Sequence, residues 1–365
     1  MRITLSVRSL GLALMGLLLA LPALAQDPAA LTNVSDQEKS RIRALLDQVK
    51  KEGGVSYWDA VIQPQTHDKL AGAFRKYYGL ADSFEVNYTL ASASELVTKV
   101  GQAISAGRVT MDVASVAALP WVFEQIEAGK IREYKSPQYE AYAQVFEKGL
   151  GKDGYFAFNG AYVFVPMWNA DKVKFSGTSY KDVIGAVENG RISIGNVANS
   201  PSYLSTYVGQ RTTLDDAFYK NLAAMKPSFL VRSEQICSRL VSGQDLMAFS
   251  GMPTRAYQFN QQGANIKVLF PKEGVVILPQ ATFILQDAPH PAAAKLWIDF
   301  ILSETGQSIL VDSEALISGR KDFKSPHPDY APAIDDLNVI KVDWSKVSTD
   351  DMAAARSDWV NIFNP

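Results

Sequence analysis

The most constraining feature of this sequence is an alternation of short apolar runs with amphipathic segments along its first third. The runs at 55–58, 84–88 and 112–117 have the length and the β-branched or aromatic content of strands. The segments 66–78 and 92–104 lie between these runs and repeat apolar residues at helical spacing. A succession of strands and helices of this kind predicts a parallel sheet with helices packed on its faces.

A second region of the same kind follows a long extended run at 161–169. Further strands are predicted at 191–194 and 246–249, and a second extended run, at 275–285, precedes a strongly apolar helical segment at 291–310. A chain of roughly 340 residues exceeds the size at which a single hydrophobic core keeps growing. We therefore expect two α/β lobes between which the chain crosses twice. The alternative is two independent domains in series.

The N-terminus has the three-part pattern of a secretory signal peptide. Arg2 and Arg8 carry positive charge, an apolar run covers 10–21, and Ala23-Leu24-Ala25 supplies small residues at the cleavage positions. We predict a signal peptide at 1–25 and an exported protein. The remaining boundaries are predicted as a first lobe at 26–163, a second lobe at 164–280, and a return to the first lobe with C-terminal helices at 281–365.

The charge and the cysteine content of the chain argue against several classes of partner and against an internal disulfide. The chain has 36 basic and 38 acidic residues, so removal of Arg2 and Arg8 leaves 34 against 38, a net charge of −4. This mild acidity argues against nucleic acid or an anionic membrane as the main partner. The single cysteine, Cys237, can form no internal disulfide, and its apolar surroundings in the sequence predict a buried hydrophobic residue.

Two stretches near the C-terminus carry a family resemblance. Pro271-Lys272-Glu273-Gly274 precedes an apolar strand, and residues 287–307 read DAPHPAAAKLWIDFILSETGQ. The strand with Tyr57-Trp58 and the segment EAGKI at 127–131 agree with them. Over roughly residues 50–325 the chain resembles bacterial extracellular solute-binding proteins of ABC transporters, of the family 1-like branch with ferric-iron, polyamine, thiamine, sugar-phosphate and phosphonate binders.

The resemblance implies a type II periplasmic-binding fold. In that fold two α/β lobes, each a mostly parallel sheet flanked by helices, are joined by a two-strand hinge and close on a ligand in the cleft between them. It also implies a periplasmic location and a small-molecule ligand, with an inner-membrane ABC permease and ATPase as partners. We accordingly expect a monomeric binding protein with no enzymatic activity, no cofactor and no metal.

Reasoning from the residues points to the same cleft. In parallel sheets a ligand lies beyond the carboxyl ends of the strands, where helices begin. Three predicted helix starts carry serine, and the N–H groups at helix N-termini attract anions. Arginine side chains beside them can bind a carboxylate or a phosphonate with two hydrogen bonds. The predicted ligand-binding residues are Trp58, Asp59, Ser92, Ser94, Ser115, Trp168, Ser200, Ser202, Tyr203, Arg232, Thr254 and Arg255.

Several alternatives stay open at this point. Each serine can simply cap its own helix, and the aromatic rings can belong to the core. The expected ligand is a phosphonate, phosphate ester or carboxylate, but a cation such as a polyamine or thiamine can be held by Asp59 and aromatic rings. A sensor can replace the permease as partner. The segment 249–255 lacks the adjacent tyrosines that the resemblance implies for ferric binders, so iron is less expected.

Overall fold

The computed structural model describes residues 27–364, so the predicted signal peptide lies outside the described residues. Within this range ten strands form two five-stranded sheets. The strands are β1 (Gly54–Asp59), β2 (Glu85–Leu90), β3 (Val113–Val116), β4 (Ala157–Tyr162), β5 (Val165–Asn169), β6 (Ile192–Gly195), β7 (Ser228–Leu230), β8 (Met247–Gly251), β9 (Ile266–Val268) and β10 (Leu278–Ile284).

Helices cover the faces of both sheets. They are α1 (Asp36–Glu52), α2 (Pro64–Tyr78), α3 (Ala93–Ser105), α4 (Leu119–Glu127), α5 (Ala143–Glu147), α6 (Pro201–Gln210), α7 (Asp216–Ala224), α8 (Ser233–Ser242), α9 (Pro253–Gln261), α10 (Pro291–Ile301), α11 (Glu304–Glu314) and α12 (Thr349–Phe363). Among residues 27–364, none of the helices combines the length and the apolar character that crossing a membrane requires.

The two sheets repeat one topology. The strand order is β2-β1-β3-β10-β4 in the first sheet and β7-β6-β8-β5-β9 in the second. In each sheet four strands run parallel, and one strand, β10 or β5, runs antiparallel to both neighbours. The prediction of a two-lobed α/β protein with mostly parallel sheets is therefore confirmed. We call the first sheet with its helices the first lobe, and the second sheet with its helices the second lobe.

The chain crosses between the two sheets twice, as the hinge of this fold requires. It leaves the first sheet at the end of β4 and enters the second at β5, and it returns between β9 and β10. Leu278 already pairs with Tyr162 of the first sheet, shortly before the expected return at 281. The C-terminal helix α12 then packs on α6 and α7 of the second lobe, so the tail spans both lobes.

Two local predictions are wrong in detail. The apolar segment 291–310 forms two helices, because Ser303 caps α11 by accepting a hydrogen bond from the N–H of Gly306. A Cβ atom at Gly306 would lie 2.3 Å from the carbonyl oxygen of Phe300, so this close helix junction requires glycine. The extended run expected from residue 275 forms its strand only from Leu278.

The single cysteine, Cys237, belongs to the hydrophobic core. Cys237 lies fully buried in α8, and burial raises the pKa of its thiol to about 12. A thiol with such a pKa stays protonated near neutral pH and does not act as a nucleophile. The prediction of a small buried hydrophobic residue is confirmed.

Candidate functional site

A cleft of about 500 Å³ opens between the two lobes. Its walls are formed by the segments that follow β1, β2, β6, β7 and β8, together with the first crossing between the lobes. All five strands end at this edge, which is the edge where parallel sheets bind ligands. The lining residues are 60–61, 63, 90–95, 162, 164, 199–203, 231–234, 252 and 255.

Helix N-termini from both lobes reach this cleft. Ser92 caps α3 in a reciprocal capping box, with the N–H of Glu95 donating to Ser92 Oγ (3.3 Å) and the N–H of Ser92 to Glu95 Oε2 (2.9 Å). In the second lobe, Ser200 caps α6, and Ser233 is the first residue of α8. The first N–H groups of a helix have no intrahelical acceptor and carry partial positive charge, so these helix starts favour an anion.

Seven of the predicted ligand-binding residues line this cleft: Ser92, Ser94, Ser200, Ser202, Tyr203, Arg232 and Arg255. Some of their polar groups already have partners within the protein. Ser202 Oγ lies 3.0 Å from the hydroxyl of Tyr162, and the hydroxyl of Tyr203 lies 2.9 Å from Ser233 Oγ. The structure thus brings together serines from three helix starts, while their ligand contacts stay a prediction.

Arg232 is the arginine that is open to the cleft. Two thirds of its side chain (66%) is exposed, and its nearest acid is Glu234, with Nε 3.6 Å from Oε2. An exposed pair at this distance holds the guanidinium only weakly. Arg232 can therefore turn toward an anion in the cleft with little loss of internal contacts.

Arg255 also lines the cleft, but its guanidinium is engaged within the protein. Nε donates to Glu234 Oε1 (2.8 Å), Nη2 to the carbonyl of Val61 (2.9 Å), and Nη1 to Gln258 Oε1 (2.8 Å). Nη1 also lies 3.4 Å from Glu314 Oε2, and only 5% of the side chain is exposed. Because Val61 and Glu314 belong to the first lobe, Arg255 ties the two lobes together.

Asp59 lies below the cleft and does not line it. Its side chain is fully buried and accepts four hydrogen bonds, from the Tyr57 hydroxyl (2.6 Å), the N–H groups of Val61 and Ile62 (2.6 and 2.7 Å) and Asn159 Nδ2 (3.1 Å). Burial raises the pKa of its carboxyl group, although these hydrogen bonds oppose the shift. Asp59 therefore shapes the loop after β1, whose residues line the cleft.

Four further predicted residues also lie outside the cleft lining. Ser115 is buried, with its Oγ 2.8 Å from Thr282 Oγ1, and Thr254 donates to the carbonyl of Ala315 (3.3 Å). The ring of Trp168 packs edge-on against Phe175, with centroids 5.1 Å apart. Trp58 is half-buried and has Lys99 Nζ 6.0 Å from its ring centroid. Side chains alternate faces along β1, so Trp58 points away from the side of Tyr57 and Asp59.

Sequence reasoning missed several residues of the cleft. Tyr162 and Phe164 line the cleft at the first crossing between the lobes. The sequence pattern predicts this extended segment as a connection between the lobes and gives no sign that it lines the cleft. Glu95 and Glu234 bring negative charge beside the helix starts. Burial raises the pKa of Glu234, but the charges of Arg255 and Arg232 together with hydrogen bonds to the carboxylate lower it by more, so the pKa lies below its ordinary value. The capping-box pattern, with Glu95 at its third helical position, is the sequence signal that places this carboxylate at the start of α3.

The described residues contain no cluster of three or more histidine, cysteine, aspartate or glutamate side chains suited to a metal ion. The cleft does contain two tyrosines, Tyr162 and Tyr203, but they come from different elements and their hydroxyl groups are 2.9–3.0 Å from serine Oγ atoms. These contacts leave neither hydroxyl free of a protein partner.

Comparison with solved structures shows the same fold. Iron-bound HitA from Pseudomonas aeruginosa has a TM-score of 0.67 at 17% identity, with 85% of this chain and 99% of that chain covered. AfuA from Actinobacillus pleuropneumoniae, with fructose-6-phosphate bound, has a TM-score of 0.71 at 16% identity and the same coverage. A substrate-binding protein of an ABC transporter from Agrobacterium tumefaciens has a TM-score of 0.72 at 12% identity, with 86% and 96% covered.

No curated protein matches the sequence closely enough to count as a relative. The family model described as bacterial extracellular solute-binding protein matches residues 109–337, which is more than half of the chain. This range includes β3 to β10 and all of the second lobe's wall of the cleft. The chain belongs to the family of bacterial extracellular solute-binding proteins.

Proposed function

We propose that this protein captures a small organic anion, such as a phosphonate, a phosphate ester or a carboxylate, between its two lobes. It does so in the periplasm and delivers the ligand to the permease and ATPase of an ABC importer. The ligand gains contacts from both lobes only when they close, so binding shifts the population toward the closed state. Capture and release of this kind require no chemistry on the ligand.

The observation that carries this proposal is the convergence of three serine-bearing helix starts on one cleft. The N-terminus of α3 comes from the first lobe, and those of α6 and α8 come from the second. Arg232 adds an exposed guanidinium beside α8. An anion in the cleft would therefore meet partial positive charge from both walls. The fructose-6-phosphate bound by AfuA, which shares this fold, is an anion of the proposed class.

The alternatives have weaker support in the cleft. The alternative of a cationic metabolite relies on Asp59 together with aromatic rings, but both carboxylate oxygens of Asp59 already accept hydrogen bonds below the cleft. A ferric ion needs several oxygen ligands at close range, and the two tyrosine hydroxyls of the cleft have serine partners. A sensor as the partner would use the same ligand site, so the ligand is tested first.

The proposal is tested by thermal shift on ligand-stripped protein. The probes are methylphosphonate, phenylphosphonate, glucose 6-phosphate and succinate, compared with spermidine, thiamine and ferric citrate. A probe at about a hundred times its Kd adds about 2.7 kcal/mol to the free energy of unfolding, which raises Tm by a few degrees. We expect at least one of the four anions to give such a shift.

The matched pair of variants is Arg232→Ala and Arg43→Ala. Both arginines are mostly exposed, at 66% and 58% of the side chain, and Arg43 lies on α1 outside the cleft lining. Arg232→Ala should weaken binding of the active anion about tenfold, since it removes a charged hydrogen-bond donor. Arg43→Ala should leave Kd unchanged. A shift with the cations or ferric citrate alone would overturn the proposal.

A further inference from the structure

Each wall of the cleft has one exposed apolar side chain. Among the described residues, the large apolar side chains that are most exposed are Leu90 (37%), Val231 (48%), Val241 (44%) and Val360 (37%). Leu90 and Val231 line the cleft, and the other two do not. Single exposed apolar side chains are common on protein surfaces, so what makes Leu90 and Val231 informative is their position in the cleft.

Leu90 and Val231 hold equivalent positions in the two lobes. Leu90 is the last residue of β2, and Val231 directly follows β7. β2 and β7 are the edge strands at the same end of the repeated strand order. The two walls of the cleft therefore each place one aliphatic side chain just before a helix start, α3 in the first lobe and α8 in the second.

Aromatic rings extend the apolar lining at the crossing between the lobes. Phe164 lies with its ring centroid 4.0 Å from that of Tyr203 and 5.5 Å from that of Tyr162, and all three residues line the cleft. The tyrosine hydroxyls lie 2.9–3.0 Å from the Oγ atoms of Ser202 and Ser233. Those polar ends are engaged and the three residues are at most 5% exposed, so the rings form an apolar backing behind the cleft wall.

Most of the charged groups of the cleft are likewise engaged. Glu95 is held in the capping box of α3, and Glu234 and Arg255 are paired with each other. A ligand with many hydroxyl groups would need a polar partner for each of them, since a buried polar group without a partner is costly. Ser94, Asn199 and Arg232 offer polar groups elsewhere in the lining, but hydroxyl groups placed against Leu90 and Val231, the exposed aliphatic side chain of each wall, would find no such partner.

We infer that the ligand carries an apolar body on its anionic group, as in an aryl or alkyl phosphonate or carboxylate, and that Leu90 and Val231 cover this body from the two lobes. The inference rests on the proposed anion-binding function and narrows its ligand class. The anionic group lies toward the helix starts and Arg232. The apolar body lies between the aliphatic side chains of Leu90 and Val231.

The test measures Kd by calorimetry for three probes: phenylphosphonate, methylphosphonate and glucose 6-phosphate. The first two share the anionic group and differ in the apolar body, while the third has a polar body. Phenylphosphonate should bind at least about tenfold more tightly than the other two, because burying an aromatic ring removes a large apolar area from water.

Leu90→Ser and Val231→Ser then test the two side chains. Each variant should weaken phenylphosphonate binding about three- to tenfold and change the Kd of methylphosphonate less than twofold. Val241→Ser and Val360→Ser are the controls, because those side chains are similarly exposed but lie outside the cleft lining. They should leave every Kd unchanged. All four positions are exposed, so the variants should fold, which circular dichroism checks.

Three results would overturn the inference. If glucose 6-phosphate binds most tightly and the serine variants have no effect, the ligand has a polar body. If Leu90→Ser and Val231→Ser weaken all three probes equally, the two side chains contact each other on closure instead of the ligand. In both cases anion binding itself survives. If no anion in the wider panel binds, the proposed function fails, and the inference fails with it.

Discussion

The rim and the base of the cleft differ in how their side chains are held, and each contains one arginine. We define the rim as Leu90, Val231 and Arg232, which are exposed, and the base as Asp59, Arg255 and Glu314, which are at most 5% exposed. Side chains of the rim have few contacts within the protein, so they can meet a ligand. Side chains of the base are surrounded by hydrogen-bond partners. The side chains of the base therefore set the shape of the cleft, and those of the rim are available to contact a ligand.

Glu314 shows how the base joins the lobes. It is fully buried at the end of α11, where it accepts hydrogen bonds from the N–H of Gln63 (2.8 Å) and from Gln258 Nε2 (2.6 Å), and it lies 3.4 Å from Arg255 Nη1. Burial raises the pKa of its carboxyl group, and the nearby charge of Arg255 only partly offsets this effect. A buried carboxylate next to one arginine depends on that arginine for charge compensation.

The largest expected effect is the difference in stability between the alanine variants of Arg255 and Arg232. Arg255→Ala should lower the free energy of unfolding by about 3–5 kcal/mol, because it leaves Glu314 buried without its cation. Arg232→Ala should change it by no more than about 0.5 kcal/mol, since its side chain is largely exposed. Urea unfolding of both variants measures the difference. Equal small losses would mean that the base does not depend on Arg255, and the contrast with the rim would disappear.

A smaller effect is expected at the loop after β1. Asp59→Ala should lower the free energy of unfolding by about 2–3 kcal/mol, because the N–H groups of Val61 and Ile62 lose a buried acceptor. The control is Asn196→Ala in the second lobe. Asn196 accepts one hydrogen bond, from the N–H of Asn199 (3.2 Å), at an exposed position, so its loss should cost less than about 1 kcal/mol. Urea unfolding compares the two, and similar values would contradict a special role for the first-lobe loop.

Much of the fold could be predicted because its signals are local. The alternation of strands and helices and the serine caps at Ser92 and Ser200 each depend on a few neighbouring residues. The break between α10 and α11 had a local signal too, in Ser303 followed by Gly306, but the apolar pattern continues through it. The helical periodicity of the apolar residues alone therefore predicts one helix where the structure has two.

The base of the cleft could not be predicted in this way, because its contacts join distant parts of the chain. Arg255 and Glu314 are 59 residues apart and lie in different lobes. From the sequence, an arginine after a strand of the second lobe looks like a ligand-binding residue. Asp59 is different, since strand alternation places it on the face of Tyr57, and this pattern could have indicated a buried carboxylate.

Low pH should destabilise the first lobe through His67. Its ring stacks on Tyr88 with centroids 4.3 Å apart, and the Tyr88 hydroxyl donates to the carbonyl of Ile62 in the loop after β1. Burial lowers the pKa of His67 to about 4, from an ordinary value of 6.5. The unfolded chain therefore binds the proton first as the pH falls, and stability is lost between about pH 6.5 and pH 4.

The expected loss from His67 is about 1–2 kcal/mol in the free energy of unfolding between pH 7 and pH 5. The control is His67→Phe, which keeps a flat ring against Tyr88 but has no proton to bind. Urea unfolding at both pH values gives the loss for each protein, and the variant should lose less than the wild type by this amount. If the two proteins lose equally, His67 is not the group that makes the first lobe sensitive to acid.

The smallest expected effect compares two helix caps beside the rim. Ser92 belongs to a reciprocal capping box with Glu95, whereas Ser200 accepts one long hydrogen bond, from the N–H of Tyr203 (3.4 Å). Ser92→Ala should therefore lower the free energy of unfolding by about 1 kcal/mol, and Ser200→Ala by about half as much. Measured with and without phenylphosphonate, the same variants separate capping from binding. A serine that only caps its helix changes stability but not Kd, whereas a serine that also donates to the anion changes both.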